Sequence, residues 1–139
     1  MLFGDAKRGT TRKTASMLTT PIHQNGPDDA VLGFTLRFCK SQSDIASHFL
    51  ALYLIGSRAH GTARQDSDHD FLVIVADTAP RSVRTGDEIW TRSILRDLEK
   101  TRNLVEIGPI DLLVKHLSDF DSSSNWPALA AKTYGLKIE

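Results

Sequence analysis

The chain has 139 residues, of which 40% are hydrophobic and 24% charged, and its mean hydropathy of −0.23 is typical of one soluble globular domain. Its 17 basic and 17 acidic residues cancel, so it lacks the positive field of a nonspecific nucleic-acid binder, and no apolar run approaches the roughly 20 residues that span a bilayer. Cys39 is the only cysteine, which excludes an intrachain disulfide, and without a secretory signal a cytoplasmic location is expected.

Residues 1–27 are predicted to form a flexible N-terminal arm, and residues 28–139 a single domain. The first stretch is rich in Thr, Lys, Arg, Gly and Pro and has no hydrophobic period. Its basic residues indicate a solvated tail, although they could also contact an acidic partner. Met17 is an alternative start, and the sequence leaves that choice open.

The domain begins with a predicted helix at Asp28 and Asp29, an acidic start followed by apolar positions that end at Phe38. The alternation of Phe34, Leu36 and Phe38 also fits a strand, so both readings stay open. After a break at residues 41–44, one or two helical turns are predicted to lead into the first strand, at residues 50–55.

The second half alternates strand and helix. A second strand is predicted from about residue 69 to 76, a helix from about 87 to 103, a third strand at 110–114 and a last short helix at 126–134. The long helix has one apolar stripe, formed by Ile89, Trp90, Ile94, Leu95 and Leu98. Because a strand–helix–strand crossover is normally parallel, the fold class is α/β (α+β), a small mixed sheet of about three strands with helices packed on it.

Three carboxylates are expected at one end of this sheet. Asp68 and Asp70 stand at the start of the second strand and share a face, since alternate residues of a strand point the same way. Asp111 stands at the start of the third strand, which a parallel pairing brings alongside. Crowded carboxylates need cations, and Mg²⁺ is the natural candidate because it takes few carboxylates and completes its shell with water and phosphate oxygens. Two ions would suit displacement at phosphorus.

A second feature, Gly56–Ser57, ends the first strand. Gly56 permits close backbone approach, and Ser57 adds a hydroxyl to the N–H groups of the following segment, while Arg58 could screen triphosphate charge. This phosphate turn meets the carboxylates only if the first strand runs antiparallel to the second. Phosphate and metal together indicate a nucleotide.

A calcium-binding EF-hand loop is an alternative interpretation of the same acidic residues. Asp66, Asp68 and Asp70 copy the opening of an EF-hand loop, but Phe71 stands where glycine is needed and Asp77 where glutamate is usual. The EF-hand alternative fails. Asp66 is better explained as a turn or capping residue.

Other polar residues have competing explanations. His60 and His69 fit surface or packing positions better than catalytic bases. Asp111 could be a solvated carboxylate at a strand edge, but the Leu-Leu-Val that follows it echoes the Phe-Leu-Val after Asp70 and favours a functional role. Glu106 is the alternative third acid.

The motif Gly56–Ser57, ten intervening residues, then Asp68-x-Asp70 resembles the signature of the DNA polymerase β-type nucleotidyltransferase superfamily, and most closely its minimal nucleotidyltransferases. Their pattern reads Gly-Ser-Arg-Ala-Arg-Gly, then Asp-Ser-Asp-x-Asp-Leu. Here residues 56–61 read Gly-Ser-Arg-Ala-His-Gly, and residues 66–71 read Asp-Ser-Asp-His-Asp-Phe. The resemblance implies that Gly56 and Ser57 hold the β- and γ-phosphates. It also implies that Asp68 and Asp70 hold two magnesium ions, and that Asp111 binds one of them and helps deprotonate the acceptor.

The resemblance implies transfer of a nucleoside monophosphate, with AMP from ATP favoured, to an unknown acceptor such as a protein partner, with release of pyrophosphate. His60 replaces a usual arginine and His69 a usual apolar residue, which removes a charge near the triphosphate and could loosen the packing. The alternative is an antitoxin-like module that binds a small helical HEPN-type toxin, with or without catalysis. Antibiotic nucleotidylation is less favoured, because the short C-terminal remainder cannot supply a drug-binding helical domain.

Overall fold

The computed structural model describes residues 26–139, so most of the predicted N-terminal arm lies outside the described part of the chain. The first elements are α1 (Asp29–Ser41), α2 (Ser43–Ala46), β1 (Phe49–Ile55), α3 (Ser57–His60) and β2 (His69–Val75). A π-helical segment (Trp90–Leu95) then leads into α4 (Arg96–Leu104), followed by β3 (Ile110–His116), α5 (Leu117–Ser122), α6 (Ala128–Thr133) and β4 (Leu136–Lys137).

The sheet is mixed and has the strand order β3-β2-β1-β4. β2 and β3 are parallel and β1 is antiparallel to β2, so both predicted pairings are confirmed. β4 is an additional strand that pairs antiparallel with β1 through Tyr53 and Leu54. Its two residues are too few to show any alternation in the sequence.

The two faces of the sheet carry hydrophobic cores of different size. Alternate residues of β2 divide between them. The larger core lies on the face of Phe71 and contains residues from α1 and from the helix at 88–104, among them Phe34, Phe38, Trp90, Ile94 and Leu98. The smaller core lies on the face of Leu72 and is completed from α5 and α6 by Phe120, Ala128, Ala130 and Ala131. Asp70 and Leu72 are alternate residues of β2 and point to the same side of the sheet, so the Asp70 carboxylate lies on the face of the smaller core.

The helical reading of the first segment is confirmed, and its start is tied to β2. The Asp28 side chain caps α1 by accepting a hydrogen bond from the N–H of Ala30 at 2.9 Å. The Asp28 N–H in turn donates to Nε2 of His69 at 3.1 Å. His69 is buried and stacks on Phe71, so it is a packing residue that fastens α1 rather than loosening the fold. Burial and then the Arg58 charge lower the pKa of His69 to about 4, which keeps Nε2 an acceptor.

The helix at 88–104 buries a narrower stripe than its sequence predicts. Trp90, Ile94 and Leu98 recur every four residues and are buried. The assignment of Ile89 to this stripe is wrong, because its side chain is 57% exposed. Ile89 stands in the first turn, where its N–H bonds to the Asp87 carboxylate at 2.8 Å and its side chain faces outward.

A single hydroxyl covers part of the outer edge of β3. Oγ1 of Thr85 accepts a hydrogen bond from the Val114 N–H at 2.8 Å and donates to the Val114 carbonyl at 3.1 Å. Thr85 therefore takes the place that a neighbouring strand would occupy at this residue.

The turn from α4 into β3 places Glu106 in the left-handed region, at φ 58°. The N–H of Ile107 bonds to the Arg102 carbonyl and the N–H of Glu106 to the Asn103 carbonyl, which together form a Schellman motif. Glycine usually holds this position because a Cβ costs roughly 1 kcal/mol there.

We expect Glu106→Gly to raise the free energy of unfolding by about 1 kcal/mol, measured by chemical denaturation. Glu88→Gly, at an exposed right-handed helical position, should lower it by a similar amount. The same variant tests the alternative third acid, because a loss of activity in Glu106→Gly would assign the carboxylate a role beyond the turn.

Candidate active site

The end of β1 and the starts of β2 and β3 meet at one end of the sheet. Ile55, the last residue of β1, pairs with Asp70, and Asp70 pairs with Asp111 on the parallel strand β3. Asp68 lies two residues before Asp70, just ahead of β2. The topology thus brings the phosphate turn and the three carboxylates to the same edge, as the sequence predicts.

Gly56 lies directly against the Asp70 carboxylate. Its backbone has φ 76° and ψ −162°, a conformation that essentially only glycine adopts. A Cβ at this position would stand 2.3 Å from Oδ2 of Asp70. The glycine therefore has two separate functions here, since it permits the turn and leaves room for the carboxylate.

The segment after Gly56 is a single tight helical turn. The N–H groups of Ala59 and His60 bond to the Gly56 carbonyl at 3.1 and 3.2 Å, and Gly61 ends the turn at φ 77°. Ser57 is the first residue of this turn, so its hydroxyl stands at the side where helical N–H groups begin. The helical conformation that the phosphate interpretation requires is present.

The carboxylates differ in exposure and influence one another. Asp70 is half-buried, whereas Asp68 and Asp111 are exposed. Burial, and then the charges of Asp111 and Asp68, raise the pKa of Asp70 to about 6. Burial and the charge of Asp68 also raise the pKa of Asp111. These upward shifts mark a site where negative charges repel and a cation would be stabilised.

The donor chemistry of these three residues fits magnesium, because all of their side-chain oxygens are hard carboxylate ligands. Among residues 26–139, no three carboxylate, imidazole or thiolate groups already converge as a preformed metal cage. To bind a shared ion, the three side chains would therefore have to turn toward it.

If Asp70 binds the metal as predicted, the ion displaces its proton, and we expect Mg²⁺ affinity to rise with pH through about 6 and to level off above 7. One displaced proton predicts an affinity about tenfold weaker at pH 5 than at pH 7, read from the Mg²⁺-dependent rise of the melting temperature. The metal-free fold has the opposite trend: this raised pKa adds stability as pH falls from about 6 toward 3.8. An affinity that is flat over this range would contradict the assignment.

The side chain of Arg58, which is predicted to screen triphosphate charge, is bonded to backbone carbonyls. Its side chain is only 7% exposed. Nη1 donates to the Gly26 carbonyl at 3.2 Å, and Nη2 donates to the carbonyls of Gln65 and Ser67 at 3.0 and 3.1 Å. Phosphate binding by Arg58 stays a prediction, and a contact through Nη2 would compete with these two backbone bonds.

One contact at the site has no signal in the sequence. The exposed ring of His60 stacks on Tyr134, with ring centroids 3.7 Å apart. His60 thereby has the surface packing role that was predicted for it, but nothing in the pattern indicates Tyr134 as its partner. Asp66 lies exposed in the turn before Ser67, in agreement with its interpretation as a turn residue. None of the helices in the described part of the chain has the length and apolar character needed to cross a bilayer.

Comparison with known proteins gives one family match. A family model described as the nucleotidyltransferase domain matches residues 37–121, which include β1, β2, β3 and the three carboxylates. No curated protein gives a match.

Solved structures give similarities of fold. The crystal structure of a toxin–antitoxin with AMP-PNP is similar with a TM-score of 0.51 and 20% identity, over 78% of this chain and 72% of that one. The crystal structure of the toxin–antitoxin MntA–HepT has a TM-score of 0.48 and 16% identity, over 81% and 72% of the two chains.

Proposed function

Because the chain belongs to the nucleotidyltransferase domain family, we propose that it transfers a nucleoside monophosphate from an NTP to an acceptor, with magnesium and with release of pyrophosphate. AMP from ATP is the favoured case. The proposal rests chiefly on one observation, the contact that Gly56 makes with Asp70 between the phosphate turn and the acidic strand. In this proposal a backbone turn suited to phosphate stands beside carboxylates whose mutual repulsion favours a bound cation.

In the proposed reaction, a nucleophilic oxygen of the acceptor attacks the α-phosphorus of the NTP. The bond from that phosphorus to the oxygen bridging the β-phosphate breaks, and pyrophosphate leaves. In this proposal the proton of the acceptor passes to Asp111, which would act as the general base.

The other residues of the proposed site would bind and orient the nucleotide and the metal. Gly56 and Ser57 would hold the β- and γ-phosphates, because the turn offers close backbone approach and a hydroxyl. Asp68, Asp70 and Asp111 would hold magnesium, with two ions expected, which supplies Lewis-acid stabilisation of charge on the phosphoryl oxygens. Asp70 lies nearest the turn and would link the metal site to the phosphates.

The experiment that tests this proposal uses purified protein, Mg²⁺ and each NTP labelled at the α-phosphorus, with and without cell lysate. We expect label to move onto an acceptor and pyrophosphate to be released in the presence of Mg²⁺. The labelled product identifies the acceptor class. If no NTP gives pyrophosphate with any lysate, the proposed transfer is wrong.

A second candidate function is an antitoxin-like module that binds a small helical toxin. The solved structure at TM-score 0.51 is described as a toxin–antitoxin. Trp126, just before α6, and Leu129, in its first turn, are about half exposed, as is suitable for a protein contact. Co-purification of a partner discriminates between the two functions: a complex formed equally well by the Asp68→Asn/Asp70→Asn variant would favour binding without catalysis.

A further inference from the structure

The buried side chain of Arg58 connects three parts of the chain that surround the acidic strand. It starts from α3 in the phosphate turn, crosses to the carbonyls of Gln65 and Ser67, and reaches the Gly26 carbonyl before α1. Ser67 directly precedes Asp68. Both N–H groups of Nη2 are therefore directed at the loop that delivers Asp68 to the site.

A second contact closes the same junction. The Asp28 N–H donates to Nε2 of His69 at 3.1 Å, next to the residues that Arg58 holds. The segment at 26–28 and the segment at 67–69 are thus joined at two points, one through Arg58 and one through His69. Asp68 is exposed and precedes β2, so no strand pairing fixes its position.

We propose that Arg58 is a positioning residue, which sets the approach of Asp68 to the metal by holding the carbonyls of Gln65 and Ser67, rather than a ligand of the triphosphate. This inference rests on the proposed metal-dependent function. A planar guanidinium can bond two carbonyls from one nitrogen and a third from the other, whereas the single ammonium of lysine cannot reproduce that fork.

The test separates geometry from charge with Arg58→Lys, which keeps the charge and loses the fork. Mn²⁺ serves as the probe without nucleotide, and its free fraction is read by electron paramagnetic resonance. We expect Arg58→Lys to bind Mn²⁺ about tenfold or more weakly, as for other groups that orient metal ligands. The matched control Arg92→Lys, at an exposed residue paired with Glu88, should stay within about twofold of wild type.

If Arg58 bound the triphosphate instead, the opposite result would be expected. Arg58→Lys would then bind Mn²⁺ as the wild type does and would keep most of its nucleotide affinity, because the charge is retained. That result would overturn the positioning role and leave the proposed transfer intact. A wild-type chain that neither binds Mn²⁺ nor turns over any NTP would overturn the proposed function and the positioning role together.

A measurement on the wild type covers the case in which Arg58→Lys does not fold. In protein labelled with ¹⁵N-arginine, the buried guanidinium should give separate, slowly exchanging Nη–H signals. Adding α,β-methylene-ATP, which cannot be cleaved between the α- and β-phosphates, should leave the Nη2 signals in place. A large shift of these signals on nucleotide binding would assign Arg58 to the phosphates and overturn the proposal.

Discussion

Asp68→Asn/Asp70→Asn should abolish NTP-dependent labelling of the acceptor, with a loss of about 1,000-fold or more in turnover. Asparagine keeps the size of the side chain but removes the two charges on which the metal depends. Several kcal/mol of electrostatic stabilisation would be lost with the ion, which corresponds to this factor. Pyrophosphate release with saturating Mg²⁺ and NTP measures it.

Two controls accompany the double variant. Asp66→Asn makes the same chemical change at an aspartate two residues before Asp68, and this variant should keep full turnover. The metal-free double variant should melt at or above the wild-type temperature near pH 7.5, because the raised pKa of Asp70 means that its charge destabilises the fold there. Retained turnover in the double variant would contradict the metal assignment.

Gly56→Ala should reduce turnover by about 100-fold or more and should destabilise the fold by about 1–3 kcal/mol. The new methyl group would overlap Oδ2 of Asp70, and the backbone at φ 76° and ψ −162° does not accept a Cβ. Either the carboxylate or the turn must move, so metal and phosphate could no longer be held together. Turnover and thermal melting of the same preparation measure the two effects.

Alanine variants of two other glycines distinguish backbone strain from steric overlap with a neighbouring side chain. Gly61 also has a positive φ, of 77°, but a Cβ there meets no atom within 4 Å. Gly61→Ala should cost about 1 kcal/mol of stability and little turnover. Gly108→Ala introduces neither effect and should resemble the wild type. Equal losses of turnover in Gly56→Ala and Gly61→Ala would show that strain alone matters and that the contact with Asp70 does not.

The main strands and their directions could be predicted because their signals are local. Apolar runs define β1, β2 and β3, and the helical crossover between β2 and β3 favours a parallel pairing. β4 and α5 could not be predicted in the same way. β4 has two residues and owes its existence to pairing with β1, while α5 buries Phe120 alone and shows no helical period.

The motif residues of the candidate site could also be predicted from the sequence, whereas the side-chain contacts around them could not. The spacing of Gly56, Asp68 and Asp70 brings phosphate and metal chemistry together within one hairpin-like connection. The destination of the Arg58 side chain could not be predicted, because it depends on how the loop at 62–68 folds back over α3 and not on any spacing. The stack of His60 on Tyr134 joins residues more than seventy positions apart and likewise leaves no local pattern.

The hydroxyl of Thr85 determines how this sheet can meet another polypeptide. Since it occupies both main-chain groups of Val114, an incoming strand cannot extend the sheet at the middle of β3 unless the loop that carries Thr85 first swings away. Domain swapping and fibril growth both begin with such strand addition. At Val114 a single side chain therefore blocks the backbone pairing by which another strand could extend the sheet.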